Sequence, residues 1–403
     1  MPARFPWAEP FFTIGVTGTN GKTSTTHLVA AAVHAAGHGV LCQSTLGYFA
    51  DGDRLTVERS ERGFLGALHA AAERGARHAV VEVTSLALKN GYAKKWRFDL
   101  GVFTNLTRDH VAEHGSWEHY LAAKAQLFVL LGPGRTAVLN AADEAALLID
   151  RATAADVQRR WYAAPGRGPR LHEVDLAARE LEVTAAGTRV GLAPSPFAEQ
   201  LGGDLTIRLV GEVFGENALA AALASLASGL DANAVRRGLA DCAPLPARFE
   251  IVGRRPTVVL DYAHTPDAIA RLCATARRIA GAGRVLLVFG AGGEVDVEKR
   301  EPMGEAAARG ADVVFVANDN PRREDPAAIV AALERGARRG NAEVHVVFDR
   351  ADAIRRALGA SREDDVVLVA GRGHDRGMTF GSGVVPYSDP EVIARLLAGR
   401  GPG

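Results

Sequence analysis

The sequence predicts two α/β domains: a phosphate-loop ATPase-type domain followed by a doubly wound, Rossmann-like domain. Three observations carry this expectation. The apolar run Phe11–Val16 ends in Gly18-Thr19-Asn20-Gly21-Lys22-Thr23 and opens into an alanine-rich segment with helical spacing. Further short apolar runs alternate with helical segments in both halves of the chain. The chain has 403 residues, 47% of them hydrophobic, which is enough to bury more than one core.

Taken in order, the helical spacing predicts a helix over Lys22–Ala36. Ala79–Val83 and Leu100–Phe103 read as buried parallel strands with chemistry at their C-terminal ends. The texture changes between Ala164 and Arg208. There, alternation over Leu181–Val190 and Leu205–Val210 predicts a small β-rich section. An alanine-rich helix returns over Asn217–Leu230, and Cys242–Arg248, with Pro244 and Pro246, reads as a linker. The expected division is therefore 1–246 and 247–403. In the second part, strands are expected at Thr257–Asp261, Val285–Phe289, Val313–Ala317, Val344–Phe348 and Val366–Ala370. Helices such as Asp267–Ala280, Ala327–Arg338 and Ala351–Gly359 separate them.

Acidic and basic residues number 47 each, so net charge is zero. A nucleic-acid partner would call for a basic excess, and an anionic membrane surface for a basic run. Cys42, Cys242 and Cys273 have neither metal-ligand spacing nor a disulfide framework, and a reducing cytoplasm fits them. Met1–Pro10 does not read as a signal peptide, and no apolar run is long enough to span a bilayer.

The glycine-rich stretch carries the chemistry. Glycines let backbone N–H groups turn inward around phosphate oxygens, and the helix N-terminus adds a favourable dipole. Lys22 would reach the β- and γ-phosphates, and Thr23 offers a hydroxyl to Mg²⁺. The general pattern wants glycine six residues before the lysine, and that position is Val16. The loop alone leaves kinases, ATPases and ligases open. Glu82 ends one expected strand, Asn105, Asp109 and His110 follow another, and Lys124 lies on the next helix. Carboxylate and imidazole beside a nucleotide point to Mg²⁺ ligands.

These residues, in this order, resemble the Mur ligases. The resemblance rests on the phosphate loop, Glu82-Val83-Thr84-Ser85, Phe103 to His110, and Ala122-Ala123-Lys124. It continues through Asn217–Ala221, Asp261–Asp267, Asp319-Asn320-Pro321-Arg322 and Gly371-Arg372-Gly373-His374, covering nearly the whole chain. The nearest pattern is that of the ligases adding diaminopimelate or lysine to the peptidoglycan stem peptide.

The resemblance implies a reaction: a carboxylate is phosphorylated by ATP, and an amine attacks the acyl phosphate to give an amide, ADP and phosphate. It implies that Gly18, Thr19, Asn20, Gly21, Lys22, Thr23 and Ser24 hold the phosphates. Asn105, Asn217, Arg248, Asp261 and His264 complete the nucleotide site. Thr23, Glu82, His110 and Lys124 would serve Mg²⁺, as two ions, with Lys124 carbamylated. Lys22, His110 and Lys124 are the expected catalytic residues. Ser85 would face the acid substrate. Arg300, Asn320, Arg322, Gly371 and Asp375 would face the incoming amino acid. An arginine fork reads a carboxylate bidentately.

The departures fall on the acid side. About a dozen residues precede the first strand, where such ligases have a UDP-binding domain. The usual Thr-Thr-Pro segment is replaced by Leu55–Arg62. Leu86 stands where histidine follows the serine, and Tyr92 stands where arginine is expected. On the amino-acid side Asp375 replaces a glutamate. The expected partners are therefore an amino acid and a carboxylate or acyl peptide other than the standard UDP-muropeptide, with a separate protein as one way of supplying it. Two other readings stay open: a nucleotide-dependent binding module without turnover, and the carboxyl-activating subunit of an amidotransferase. The latter relatives carry a four-cysteine zinc insertion, which three scattered cysteines do not supply.

Overall fold

The structure is a computed structural model describing residues 11–58, 60–107, 114–165 and 169–399, and the statements below concern those residues. Phe12–Thr17 forms β1, buried from Thr13 onward, in the middle of an eleven-stranded sheet. It lies parallel between β5 (His78–Glu82) and β6 (Leu100–Phe103). Strands covered on both faces read as continuous apolar runs, which is why these were visible in the sequence.

On one side the sheet continues through β2 (Val40–Ser44), β3 (Gly47–Ala50) and β4 (Asp53–Leu55), the last two antiparallel. On the other side come β7 (Thr136–Asn140), β8 (Gln158–Ala163) and β9 (Leu176–Thr184), all parallel, then β10 (Gly187–Leu192) and β11 (Asp204–Ile207), antiparallel. The segment expected to be a small β-rich section holds β9, β10 and β11, and it is continuous with the main sheet. Tyr162 pairs with Leu176, and β9 simply extends the main sheet. The alternation over Leu181–Val190 and Leu205–Val210 falls on the half-exposed outer stretch of β9 and on β10 and β11.

Helix α1 (Lys22–Ala35) leaves the C-terminal end of β1 and packs on α8 (Glu212–Ala227) and α9 (Ala232–Asp241). The alanines of α8 permit this: every residue from Phe214 to Ser225 is buried, as expected for a helix apolar on all sides. Gly238 of α9 touches α1 so closely that a Cβ there would lie 2.5 Å from the Ala31 carbonyl oxygen. The other helices of this part are α2 (Glu61–Glu73), α3 (Ser85–Lys89), α4 (Tyr92–Lys95), α5 (Trp117–Val129), α6 (Glu144–Ala152) and α7 (Pro196–Gln200).

The second sheet has the order β12-β13-β17-β14-β15-β16. Its strands are β12 (Glu250–Arg254), β13 (Thr257–Asp261), β14 (Val285–Phe289), β15 (Val313–Val316), β16 (Glu343–Val346) and β17 (Val366–Ala370). All pairs are parallel except β12 with β13. Helices α10 (Pro266–Ala280), α11 (Arg300–Gly310), α12 (Pro326–Ala337), α13 (Arg350–Ala360) and α14 (Asp389–Ala398) link and cover the strands. Thr265, Asp325, Asp349 and Ser388 cap four of them with side-chain oxygens. A separate hairpin pairs β18 (Gly377–Phe380) with β19 (Gly383–Pro386).

Arg350 and Asp389 form a fully buried ion pair, with Nε and Nη2 at 2.9 and 2.8 Å from the two carboxylate oxygens, tying α13 to α14. The two parts of the molecule meet along α8 and α10. Val210, Phe214, Leu272 and Cys273 belong to one apolar cluster, and Arg278 pairs with Glu212 at 2.5 Å. Cys42, Cys242 and Cys273 are free and buried. No helix among the described residues is long and apolar enough to cross a membrane.

Candidate active site

The loop between β1 and α1 owes its shape to two glycines. Gly18 has φ 150° and Gly21 φ 85°, the region that favours glycine. A Cβ at Gly18 would sit 1.9 Å from Thr104 Oγ1, and one at Gly21 2.4 Å from Asn217 Oδ1. The loop thus leaves no room for side chains at either position. Asn105, at the end of β6, holds the loop from the other side. Its carbonyl accepts from the Thr19 N–H (2.8 Å), its Oδ1 from the Asn20 N–H (2.9 Å), and its Nδ2 donates to the Asn20 carbonyl (3.1 Å). Ser24 is buried in the first turn of α1.

Two lysines converge on this loop. Lys22 Nζ donates to the carbonyls of Thr19 (2.7 Å) and Gly18 (3.1 Å). Lys124, on α5, is 1% exposed, donates to the Gly18 carbonyl over 2.7 Å and lies 4.5 Å from the centre of the Tyr120 ring. The Tyr120 hydroxyl is in turn 3.0 Å from Thr19 Oγ1.

Beside the lysines, Thr23 Oγ1 donates to Glu82 Oε2 (2.9 Å), which also accepts from the Thr45 N–H (3.0 Å). Glu82 and Thr23 are both buried. Such a pair of hard oxygen donors suits Mg²⁺. Arg248 reaches the same point from the other part of the molecule: its Nη2 donates to Thr23 Oγ1 over 3.1 Å, and its guanidinium lies 5.1 Å from the Tyr262 ring centre. Its two neighbours, Ala247 (φ 52°) and Phe249 (φ 46°), are buried non-glycine residues in the left-handed region. Backbone strain of this kind costs of order 1–3 kcal/mol per residue and persists only where packing enforces it. Here it aims Arg248 at the loop. Behind this group, His27 Nε2 lies 2.9 Å from Ser44 Oγ, and burial pulls its imidazole down to about 4.

A cavity of about 340 Å³ runs from the loop into the space between the two sheets. Asn20, Lys22, Thr23, Glu82, Asn105, Asn217, Arg248, Asp261 and His264 all line it, with Phe214, Leu272 and Thr275 giving an apolar end. Asp261 accepts from the N–H groups of Phe249 and Ala263, both at 2.7 Å. Burial raises its carboxyl above the ordinary value, against the pull of Arg248 and neighbouring N–H groups. His264 Nδ1 is 2.8 Å from the Tyr262 carbonyl, which fixes its ring. Asn20 Nδ2 donates to Asp267 Oδ2 over 3.4 Å, a further link across the cavity.

The residues expected to face an amino acid lie apart from this cavity, on the second sheet. Arg300 is 3% exposed and paired with Glu324 at 2.8 Å. Asn320 Oδ1 accepts from the Thr379 N–H (2.7 Å). Arg322 is half-buried with φ 55°, and its backbone bridges β18 at Phe380. Gly371 has φ 109°, and a Cβ there would lie 2.7 Å from Asp319 Oδ2. The partner of Asp319 is the buried Arg372, at 3.1 Å. Asp375 follows, half-buried, with its charge acting on Tyr262 and Asp319. Ser85 opens α3, with its Oγ 3.0 Å from Nε2 of the buried His114. His110 and Asp109 lie outside the described residues.

Sequence reasoning missed Thr45, His114 and Arg271. Thr45 stands in a turn without motif, and His114 gains its role through a contact with Ser85. Arg271 lines the cavity from α10, paired with Asp267 at 2.9 Å.

A glycine-rich loop gripping a lysine-threonine pair, opposite a second α/β sheet, defines a two-part nucleotide-dependent enzyme. Comparison with known proteins narrows this class. Residues 16–225 match the Mur ligase middle domain, and residues 247–373 match the Mur ligase, glutamate ligase domain. A UDP-N-acetylmuramoyl-L-alanyl-D-glutamate–2,6-diaminopimelate ligase of Geobacillus thermodenitrificans is 36% identical over 406 residues, covering 96% of this chain and 79% of that protein. The ligase of the same name from Solibacter usitatus is 38% identical over 396 residues, covering 96% and 77%. A solved structure of a ligase of that name aligns with TM-score 0.64 at 28% identity, over 98% of this chain and 80% of the other. A folylpolyglutamate synthase of Mycobacterium tuberculosis shares the fold, with TM-score 0.69 at 22% identity over 91% and 89%. The chain belongs to the Mur ligase family of ATP-dependent, Mg²⁺-using ligases that form amide bonds.

Proposed function

We propose that this chain joins a carboxylic acid to the amine of an amino acid through an acyl phosphate. The observation that carries the reading is the convergence of Lys22, Lys124, Thr23 and Glu82 on one loop, beside a cavity that Lys22, Thr23 and Glu82 share with Arg248, Asp261 and His264 of the second part. Residues 1–246 would hold the nucleotide and the acid, and residues 247–403 the amino acid.

The side chains divide the work. Loop N–H groups from Gly21 to Ser24 and the Lys22 ammonium take the phosphate charge, and Lys22 exchanges its loop carbonyls for phosphate oxygens. Thr23 and Glu82 would hold Mg²⁺, which would screen the phosphate charge. Asn217, Arg248, Asp261 and His264 position the nucleoside end. The terminal phosphoryl group passes to a carboxylate oxygen of the acid, and ADP leaves. The amine then attacks the acyl carbon, phosphate departs, and the amine proton goes to solvent. Holding both reactants in line is the main contribution of the protein.

Lys124 takes up CO₂ on its neutral amine in this reading, releasing a proton and becoming a carbamate. The new carboxylate would supply, together with His110, ligands for a second Mg²⁺, and the remaining N–H would keep the hydrogen bond that Lys124 makes to Gly18. Arg322 reads a carboxylate of the amino acid, with Asp375 taking its ammonium. Asn320 and the Arg300–Glu324 pair hold the turn that carries Arg322, while Gly371 keeps the floor clear.

The two ligases named above act on a UDP-linked dipeptide and diaminopimelate. The acid used here differs from that compound, because Leu86 and Tyr92 replace polar residues on its side of the loop. Ser85 lies on that same side. The test is phosphate release from ATP across a panel of acids and amino acids. Release that requires one of each supports the ligase reading. Nucleotide binding without such release would point to a binding module instead.

A further inference from the structure

One short stretch of chain, from Glu82 to Ser85, holds the phosphate loop at both ends. Glu82 does so directly, accepting from Thr23. Ser85 does so through two further side chains. Its Oγ lies 3.0 Å from His114 Nε2, and the His114 ring lies 5.2 Å from the Tyr120 ring, tilted by 48°. Tyr120 then meets the start of the loop. Its hydroxyl is 3.0 Å from Thr19 Oγ1, and its ring centre is 4.5 Å from Lys124 Nζ, which donates to the Gly18 carbonyl. The local sequence makes this possible. Gly115 takes φ 83°, and Ser116 caps α5 by accepting from the His119 N–H, so the chain turns sharply just after His114. Tyr120 and Lys124 stand four residues apart and therefore share one face of α5.

Proton counting fixes the direction of the Tyr120 bond. A threonine hydroxyl has one proton and two lone pairs. Thr19 Oγ1 gives its proton to the Thr107 carbonyl (3.3 Å) and accepts from the Thr107 N–H (3.0 Å). One lone pair is left, and the Tyr120 O–H fills it. Thr19, Ser85, His114, Tyr120 and Lys124 are all buried, where hydrogen bonds are strong and a lost partner is costly. We infer that Tyr120 is a positioning residue for the phosphate loop, held in place by His114 and Ser85. Its hydroxyl sets the Gly18–Thr19 turn, on which nucleotide affinity depends. Its ring sets the direction of the Lys124 side chain, on which turnover depends. This inference rests on the ligase reading above and adds two residues, Tyr120 and His114, that act through Thr19 and Lys124.

The experiment uses the full chain and two readouts, both taken below the melting temperature of every variant. The first is calorimetric titration with ADP and Mg²⁺, which needs no turnover. Tyr120→Phe keeps the ring and loses the O–H, so the ADP dissociation constant should rise about two- to tenfold, the worth of one hydrogen bond. His114→Ala should weaken ADP in the parent, yet cost less than about twofold more in a chain already carrying Tyr120→Phe, because the two act in series. The second readout is phosphate release with whichever acid and amino acid stimulate it. Tyr120→Phe should keep the turnover number within about twofold, and Tyr120→Leu, which removes the ring, should lower it at least about tenfold. Parental ADP affinity in Tyr120→Phe overturns the inference and leaves the ligase reading intact. So does a His114→Ala effect of equal size in both backgrounds, or equal turnover in Tyr120→Phe and Tyr120→Leu. Should Tyr120→Leu fail to fold, the two ADP titrations decide. Weakened ADP binding of the expected pattern, with no acid and amino acid pair releasing phosphate, supports the hold on the loop, and then only the ligase reading fails.

Discussion

Lys124 donates to the Gly18 carbonyl over 2.7 Å, joining the middle of α5 to the first glycine of the phosphate loop. An ammonium that is 1% exposed is costly unless it is paired or changed chemically. The carbamylation proposed above would exchange the cation for an anion able to supply an oxygen ligand to Mg²⁺. Lys124→Ala is expected to lower the turnover number by at least about 100-fold, within the range for losing a positioned electrostatic group. Formate or acetate should restore part of the activity. A labelled carbamate carbon, seen by NMR in the parent after growth with ¹³C-bicarbonate and absent from the variant, checks the chemistry directly.

In the proposed mechanism Lys22 is a phosphate ligand, and it plays no part in a core. Lys22→Ala should cost roughly 10²–10³ in turnover, with far-ultraviolet circular dichroism and the melting temperature close to the parent. Product formation at the parental rate would remove Lys22 from the mechanism.

Arg322 carries the choice of amino acid in this reading. Losing a charge-assisted hydrogen bond costs about 1.5–3 kcal/mol. Arg322→Ala should therefore raise the Michaelis constant for the amino acid at least about tenfold and leave that for ATP nearly unchanged. Steady-state kinetics with each substrate varied in turn decides it, and equal movement of both constants would exclude this role.

The Arg350–Asp389 pair tests packing and not catalysis. Removing one member of a fully buried pair leaves an uncompensated charge, so Arg350→Ala should destabilise the protein by about 3–5 kcal/mol. Arg350→Met combined with Asp389→Leu should recover most of that loss. Urea unfolding of the three proteins provides the comparison.

His27 makes stability depend on pH. Its folded value is about 4 against an ordinary 6.5, chiefly through burial, with Glu82 pulling the other way and Arg248 adding to the fall. The unfolded chain therefore binds the extra proton first. The contribution is complete above pH 6.5 and is lost as pH falls towards 4. A shift of this size corresponds to at most about 3 kcal/mol. His27→Gln should flatten the decline measured by denaturant unfolding between those limits. His78, lowered likewise to about 4, is left in place and sets the residual slope.

Much of the site was legible in the chain because its geometry is local. Gly18 and Gly21 need positive φ, Lys22 and Thr23 need a helix N-terminus, and both demands leave a short motif. The strands β1, β5, β6, β13, β14 and β17 were legible for a related reason, being buried on both faces and written as unbroken apolar runs. Helix α11 was not, since Arg300–Gly310 is mostly polar and small, and the hairpins β2–β4 lie at an edge where only weak patterns survive.

The sequence by itself determined the phosphate-loop motif, the residues proposed to bear the chemistry, and the alternation of strand and helix that carries them. The tertiary structure alone decided which side chains meet. It buried Lys124 against Gly18, carried β9 into the main sheet, committed Arg300 to Glu324, and bent Ala247 and Phe249 so that Arg248 reaches Thr23 across 225 positions. The physical reason is that local motifs record backbone conformation and burial, which neighbouring residues impose. A partner from a distant strand or helix is set by sheet order and packing, and leaves no periodic trace in the sequence.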